Sequence, residues 1–212
     1  MNKFNLRTIF FIWFINSFIF SNLYSQINNT IVVKVGESLI TSITIKNEII
    51  TNLVINRQQI SQESIDNNKN FAIKNLINKS IKKSEINKYK IKDYNKKDLQ
   101  DYIKNVAKSL NTDLNGLRNI FKDYNINYEI FVERHKTELL WNTLIFQIYK
   151  NQTNVNIVEV ENEVEKIKGS KTDEELKIIK KNILNNKKEE KLSLFSRSHY
   201  SNLENTVVVS FQ

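Results

Sequence analysis

Few side chains in this 212-residue chain are suited to chemistry, and their spacing is poor for it. There are two histidines, His135 and His199, and no cysteine. A zinc pair on a helix needs ligands three or four residues apart. Glu138 and Leu139 follow His135 at those offsets, so the segment offers only a lone imidazole with a carboxylate to orient it. His199 closes the run Ser196-Arg197-Ser198-His199, which sets two hydroxyls near an imidazole. Adjacent residues of one helix point apart, so a nucleophile–base contact is not expected there. Glu159, Glu161, Glu163 and Glu165 lack the turn and fixed ligand loop of a calcium site. They read instead as acids that favour a helix start through its dipole. Three scattered glycines do not build a phosphate loop. No catalytic residue, metal set or cofactor is assigned, and the chain is expected not to be an enzyme.

The start of the chain sets its environment. Lys3 and Arg7 precede an apolar, uncharged run from Ile9 to Phe20, and Ser21-Asn22-Leu23-Tyr24-Ser25 follows. This is the layout of a secretory signal peptide, residues 1–25, with cleavage before Gln26. The alternative is an uncleaved anchor, but the run spans about 12 residues where a membrane-crossing helix needs about 20. No integral span is expected after cleavage. Export without cysteine points to a periplasm, with no disulfides to form.

The formal charge of +9 raises the question of nucleic acid. The lysines, however, alternate with acids, as in the stretch from Glu85 to Asp101, and so describe a solvated surface. No nucleic-acid partner is expected. The apolar fraction of 40% is arranged periodically, which disordered chains lack. With no proline anywhere, only caps and turns end the helices, and they can run long.

The elements that must position any site follow from periodicity. Ile31–Val35 and Leu39–Thr41 flank a turn containing Gly36 and read as a hairpin. Ser42 is a candidate cap for a helix from Ile43 to Asn56. The polar stretch 58–70 reads as a loop or a frayed helix start, and a second helix as Phe71 to Lys88. A third opens near Asn95, Thr112 caps a fourth, and Asn127 caps the longest, Tyr128 to Asn151. From Leu139 to Tyr149 that helix is apolar nearly all round, as expected of a hub buried on several sides. A short helix over Glu159 to Ile167 precedes the linker Lys168-Gly169-Ser170-Lys171. Thr172 and Glu175 then form a capping box for a helix reaching about Asn202, whose polar middle, Asn185 to Lys191, is expected to stand in water. The last segment, Val207 to Phe211, reads as a strand. A lone terminal strand needs a partner, and the N-terminal hairpin is the only other strand material. The two ends should meet. The expected class is mainly α with a small antiparallel β element. A helical domain covers residues 26–168, and a C-terminal helix and strand, 169–212, complete it.

This order of parts resembles the N-terminal domain of SurA-type periplasmic chaperones. The most telling segment is Thr112-Asp113-Leu114-Asn115-Gly116-Leu117-Arg118, then Asn125-Ile126-Asn127-Tyr128-Glu129, then Glu133-Arg134. It is similar to the family's two consecutive cap-and-helix starts. Asn156 to Glu161 is similar to the opening of the next helix, and Phe195 to Phe211 to the family's C-terminal helix and strand. The chain departs at Asn125, where the family usually has Gly, and at Asn115-Gly116, which replaces an acidic pair. It also lacks the one or two parvulin-type isomerase domains inserted before the C-terminal helix, since only residues 168–171 occupy that place.

The resemblance implies an ATP-independent chaperone for unfolded outer-membrane or exported polypeptides, without isomerase activity. Such clients need a partly apolar groove with weak, distributed contacts. The expected wall is the gap between the long helix and the C-terminal helix. The candidate client-binding aromatics are Tyr128, Phe131, Trp141, Tyr149 and Phe195. Addition of a client strand to an exposed sheet edge is a further route. Two other readings stand beside it: an envelope interaction protein holding one permanent partner, and a degenerate relative of the prolyl isomerases.

Overall fold

A computed structural model describes residues 29–212; the expected signal peptide lies outside the described residues. The architecture is mainly α with one small antiparallel sheet. Strands β1 (Ile31–Val35) and β2 (Ser38–Thr41) are followed by helices α1 (Ser42–Ile55), α2 (Gln62–Lys88), α3 (Lys96–Ser109), α4 (Leu114–Asp123) and α5 (Tyr128–Tyr149). A single 3-10 turn (Lys150–Gln152) leads to α6 (Ile157–Lys166), α7 (Asp173–Thr206) and β3 (Val209–Phe211).

The helix starts follow side-chain chemistry. Asn127 and Thr172 cap α5 and α7 as expected, Asn95 caps α3 at its expected opening, and Thr172 and Glu175 form the capping box. Three starts differ from the reading of the sequence. Thr41, not Ser42, caps α1: its hydroxyl and that of Thr44 satisfy each other's backbone amides. The Ser42 amide is already committed to the Thr30 carbonyl at 2.9 Å, continuing the hairpin. Asp113, not Thr112, caps α4, accepting from the Gly116 amide at 2.8 Å. Helix α2 begins at Gln62, nine residues before Phe71, because Ser61 and Ser64 form another reciprocal box. A polar composition had marked that stretch as loop or frayed start, yet one cap and the packing of Ile65 on the sheet core suffice for a helix.

The helix ends are solved without glycine. In α1 to α4 the residue after the C-cap is left-handed: Arg57, Lys90, Asn111 and Asn125, with φ of 54° to 57°. Each donates to the carbonyl three residues back, and the next residue reaches five back, as in Gln58 to Leu53 and Ile126 to Phe121. This is the Schellman arrangement, in which glycine is the usual occupant. Asn125, the departure noted above, therefore holds a glycine-like backbone.

In the sheet β1 is central, with order β2-β1-β3. Gly36, at φ +53°, allows the tight turn between Val35 and Ser38. Val33, Lys34 and Val35 pair with Phe211, Ser210 and Val209, so the first and last described elements share a ladder. The Gly36 amide adds a bond to Val208 O, and the Gln212 amide one to Val32 O. One core cluster joins Val33, Val35 and Ile40 to α1 and α2, with Leu203, Val207 and Val209 against it. A second gathers α3, α4 and Phe131 of α5. A third joins Ile86 of α2 to Trp141, Leu144 and Ile145 of α5. Helix α5 thus feeds two cores and is the expected hub, with two corrections. The longest helix is α7, and Phe146 is 52% exposed, so α5 is not buried all round.

The polar middle of α7 is mostly exposed, as expected, but one face of it is tied down by Lys187. It lies along α6, where Lys187 pairs with Glu159 at 2.7 Å and Glu163 at 2.8 Å, and Lys180 with Glu161 at 2.7 Å. Of the four glutamates read as dipole partners, Glu159 does lie in the first turn; it, Glu161 and Glu163 pair across to α7, and Glu165 pairs with Lys168. These contacts hold the Glu159 carboxyl below its usual range and the Lys187 ammonium above its own.

Truncation after Thr206 removes two partly buried valines and half of the β1 ladder. It is expected to lower the melting temperature by at least about 5 °C, read by circular dichroism. Lys90→Gly should relieve left-handed strain and raise stability by about 0.5–1 kcal/mol in urea unfolding.

Candidate binding cleft

The gap between α5 and α7, expected as the groove wall, is closed. Trp141 is 1% exposed, and its Nε1 donates to Ser196 Oγ at 2.8 Å. Tyr149 stacks on Phe195 with centroids 4.7 Å apart and planes 2° apart. The Tyr149 hydroxyl meets His199 Nδ1 at 2.9 Å, and His199 Nε2 lies 3.4 Å from the carboxylate of buried Glu85. The Tyr200 hydroxyl donates to Asn78 and fixes α7 to α2. Three of the five candidate aromatics are therefore mortar between helices. His199 is part of that mortar, and the Ser196 hydroxyl belongs to Trp141 rather than to an imidazole. Tyr128 is also engaged: the Arg118 guanidinium lies 3.8 Å from its ring centroid, and Phe121 and Phe131 flank it. His135 stacks on Tyr102 at 3.6 Å, and burial lowers its pKa from the ordinary 6.5. Glu138, named as its possible orienter, pairs with Lys82 at 2.5 Å instead.

The open space lies on another side. A cleft of about 680 Å³ runs between β2, α1, α2 and the first turns of α5. Each helix presents positions three or four apart: Thr44, Asn47, Glu48 and Thr51 from α1; Leu76, Lys79, Ser80 and Lys83 from α2; Ile130, Phe131, Glu133 and Arg134 from α5. Ser38, Leu39 and Ile40 of the edge strand form the remaining wall. Of the candidate aromatics only Phe131 reaches it, and Phe131 is 2% exposed, so it is floor more than contact surface. The exposed apolar residues of the cleft are Leu39 and Ile130, about half exposed each and absent from the sequence-based choice.

An ion pair fastens the polar wall. Arg134 Nη1 donates to Glu48 Oε1 at 2.8 Å and to Asn52 Oδ1 at 2.9 Å. Glu48 is 8% exposed, and the guanidinium is its ion-pair partner. Removing one member of such a pair costs about 3–5 kcal/mol, because the other is left buried and unpaired. Glu133 turns away to Lys136 at 3.1 Å. Lys79 makes no ion pair or hydrogen bond among the described residues, yet it is half-buried. Burial holds its pKa below the ordinary 10.5; Lys83 and Arg134 act in the same direction, and Glu48 and Glu133 oppose it. A sequence signal for this wall did exist. Glu48 and Thr51 fall among Ile45, Ile49, Leu53 and Val54 on the buried side of α1, and buried polar residues are the informative kind.

Among the described residues no group of His, Cys, Asp or Glu is arranged to hold a metal ion. No helix among them is long and apolar enough to cross a membrane. The chain matches no protein-family model and no curated protein.

The unpaired Lys79 has a thermodynamic consequence. A lysine whose folded pKa is lowered binds fewer protons folded than unfolded, so the charged form costs stability at neutral pH. That cost fades as pH rises through the folded pKa toward 10.5. Lys79→Met should therefore melt higher than the parent chain at pH 7, with the difference shrinking by pH 10 in thermal scans.

Proposed function

We propose that the chain is an ATP-independent chaperone of exported, unfolded polypeptides, resembling a SurA-type N-terminal domain closed by its C-terminal helix and strand and working without an isomerase domain. The observation that carries this reading is the cleft: an open trough beside an edge strand, with half-exposed Leu39 and Ile130 set among hydroxyls, amides and charges. Such a surface suits an extended chain of mixed polarity. Its apolar area is small, so contacts stay weak and a client can leave. The meeting of β1 and β3 supports the resemblance, since the family's order of parts requires the chain ends to join. Between α6 and α7 only residues 167–172 intervene, which leaves the helical body without an inserted domain at that place. Periplasmic location belongs to the same proposal and rests on the N-terminal sequence.

The test is light scattering of an unfolded β-barrel outer-membrane protein diluted from urea, without nucleotide. Stoichiometric amounts of the chain are expected to suppress aggregation, and Leu39→Asp with Ile130→Asp to weaken suppression several-fold while the circular dichroism spectrum is kept. A parallel assay on a proline-containing peptide should stay at background. Aggregation unaffected by the chain, or isomerase turnover above background, overturns the reading.

A further inference from the structure

We propose that an acidic segment of an extended polypeptide adds to the outer edge of β2 as a fourth strand and sets a glutamate or aspartate side chain against Lys79 and Lys83 in the cleft. The inference rests on the chaperone reading and specifies what its cleft selects.

The strand geometry supplies the first argument. A two-residue turn makes Val35 and Ser38 a hydrogen-bonded pair, so the next pair, Lys34 and Leu39, is a non-bonded one. The Leu39 N–H and C=O then point away from β1, out from the sheet edge. Thr41, two residues on, obeys the same alternation: its N–H leaves the ladder and donates to Thr44 Oγ1 at 2.9 Å. The edge is short, four residues, and its outward Thr41 N–H is already taken, but Ser38-Leu39-Ile40-Thr41 holds no lysine, no proline and no charge, so Leu39 is open to pairing. The other edge, β3, is a three-residue strand, and none of its residues lines this cleft. Added strands gain affinity from main-chain bonds and selectivity from what alternate side chains meet.

Charge supplies the second argument. The ionisable groups facing the cleft are Glu48, Lys79, Lys83, Glu129, Glu133 and Arg134. Arg134 is committed to Glu48, and Glu133 to Lys136. Glu129 lies in the first turn of α5, where the helix N-terminus favours an acid. That leaves Lys79 and Lys83, one turn apart on α2, without an ion pair of their own among the described residues, although the charges of Glu48 and Glu133 partly favour the Lys79 ammonium. A half-buried ammonium with no ion pair of its own is a cost that a visiting carboxylate would reduce. The site is polar on the α1 side and apolar at Leu39 and Ile130, so the segment it fits is mixed: an acid facing α2, with apolar residues covering the two exposed side chains.

The experiment measures fluorescence anisotropy of labelled, C-terminally amidated peptides of alternating apolar and polar residues on the purified chain. One carries a central Glu, one a Gln in its place, one a Pro beside the Glu, and a fourth is the Gln peptide with a free C-terminus. The Glu peptide is expected to bind about tenfold tighter than the Gln peptide at low salt, and the Pro peptide to lose most of its binding. Lys79→Met with Lys83→Met should erase the Glu preference without lowering the melting temperature. A photocrosslinker on the Glu peptide should label β2. Four results overturn the proposal: equal binding of Glu and Gln peptides, a preference that survives the double variant, a free-terminus Gln peptide that binds as well as the Glu one, or labelling confined to β3 or to a second copy of the chain. If any of these occurs while aggregation is still suppressed, the chaperone reading stands and only the acidic strand falls; if suppression is also absent, both fall.

Discussion

The central position of β1 governs the molecule. A strand with a neighbour on each side can be completed only if the chain returns to it, and the return is made by β3 after all seven helices among the described residues have been laid down. The ladder itself is short, but it brings Leu203, Val207 and Val209 onto the same core as Val33, Val35 and Ile40. Closing the chain ends therefore fixes the last turns of α7, and through Tyr200 and Ser196 it fixes α7 against α2 and α5. Non-local contacts of this kind carry a large loop-closure entropy, and the burial on the far side of β1 offsets it.

The helices meet this constraint with an unusual vocabulary. The chain has no proline and three glycines, so starts are written in Ser, Thr, Asn and Asp, and stops are made without either usual breaker. Starts cost nothing extra in this alphabet, since these are the preferred caps. Stops are dearer: four left-handed positions are held by Arg, Lys and Asn, where a Cβ meets its own carbonyl. The strain is tolerable because each such residue closes two backbone bonds, and in α2 and α4 the following isoleucine (Ile91 or Ile126) packs back on a core.

The cleft arises where three helices and a strand edge converge without enough apolar volume to fill the space. Its polar lining is tied by the ion pair of Arg134 and Glu48, which holds α1 to α5. Lys79, half-buried and without an ion pair among the described residues, is the cleft group that a carboxylate would most relieve.

Periodicity, caps and strand propensity were enough by themselves to determine the mainly helical class, the hairpin, the helix opening near Asn95, the capping roles of Asn127 and Thr172, and the meeting of the chain ends, because each follows from local hydrogen bonding or from a strand's need for a partner. Helix α2's first nine residues were not legible, because their stability comes from a cap and one tertiary contact instead of a repeating apolar stripe. The choice among aromatics was also beyond local rules. Trp141, Tyr149 and Phe195 look alike in sequence whether they face a groove or each other, and only the approach of α7 to α5 decided that they seal a seam. The cleft moved to the other side of the molecule for the same reason: which faces of separate helices converge is set by packing over long sequence distances, and no spacing within one helix encodes it.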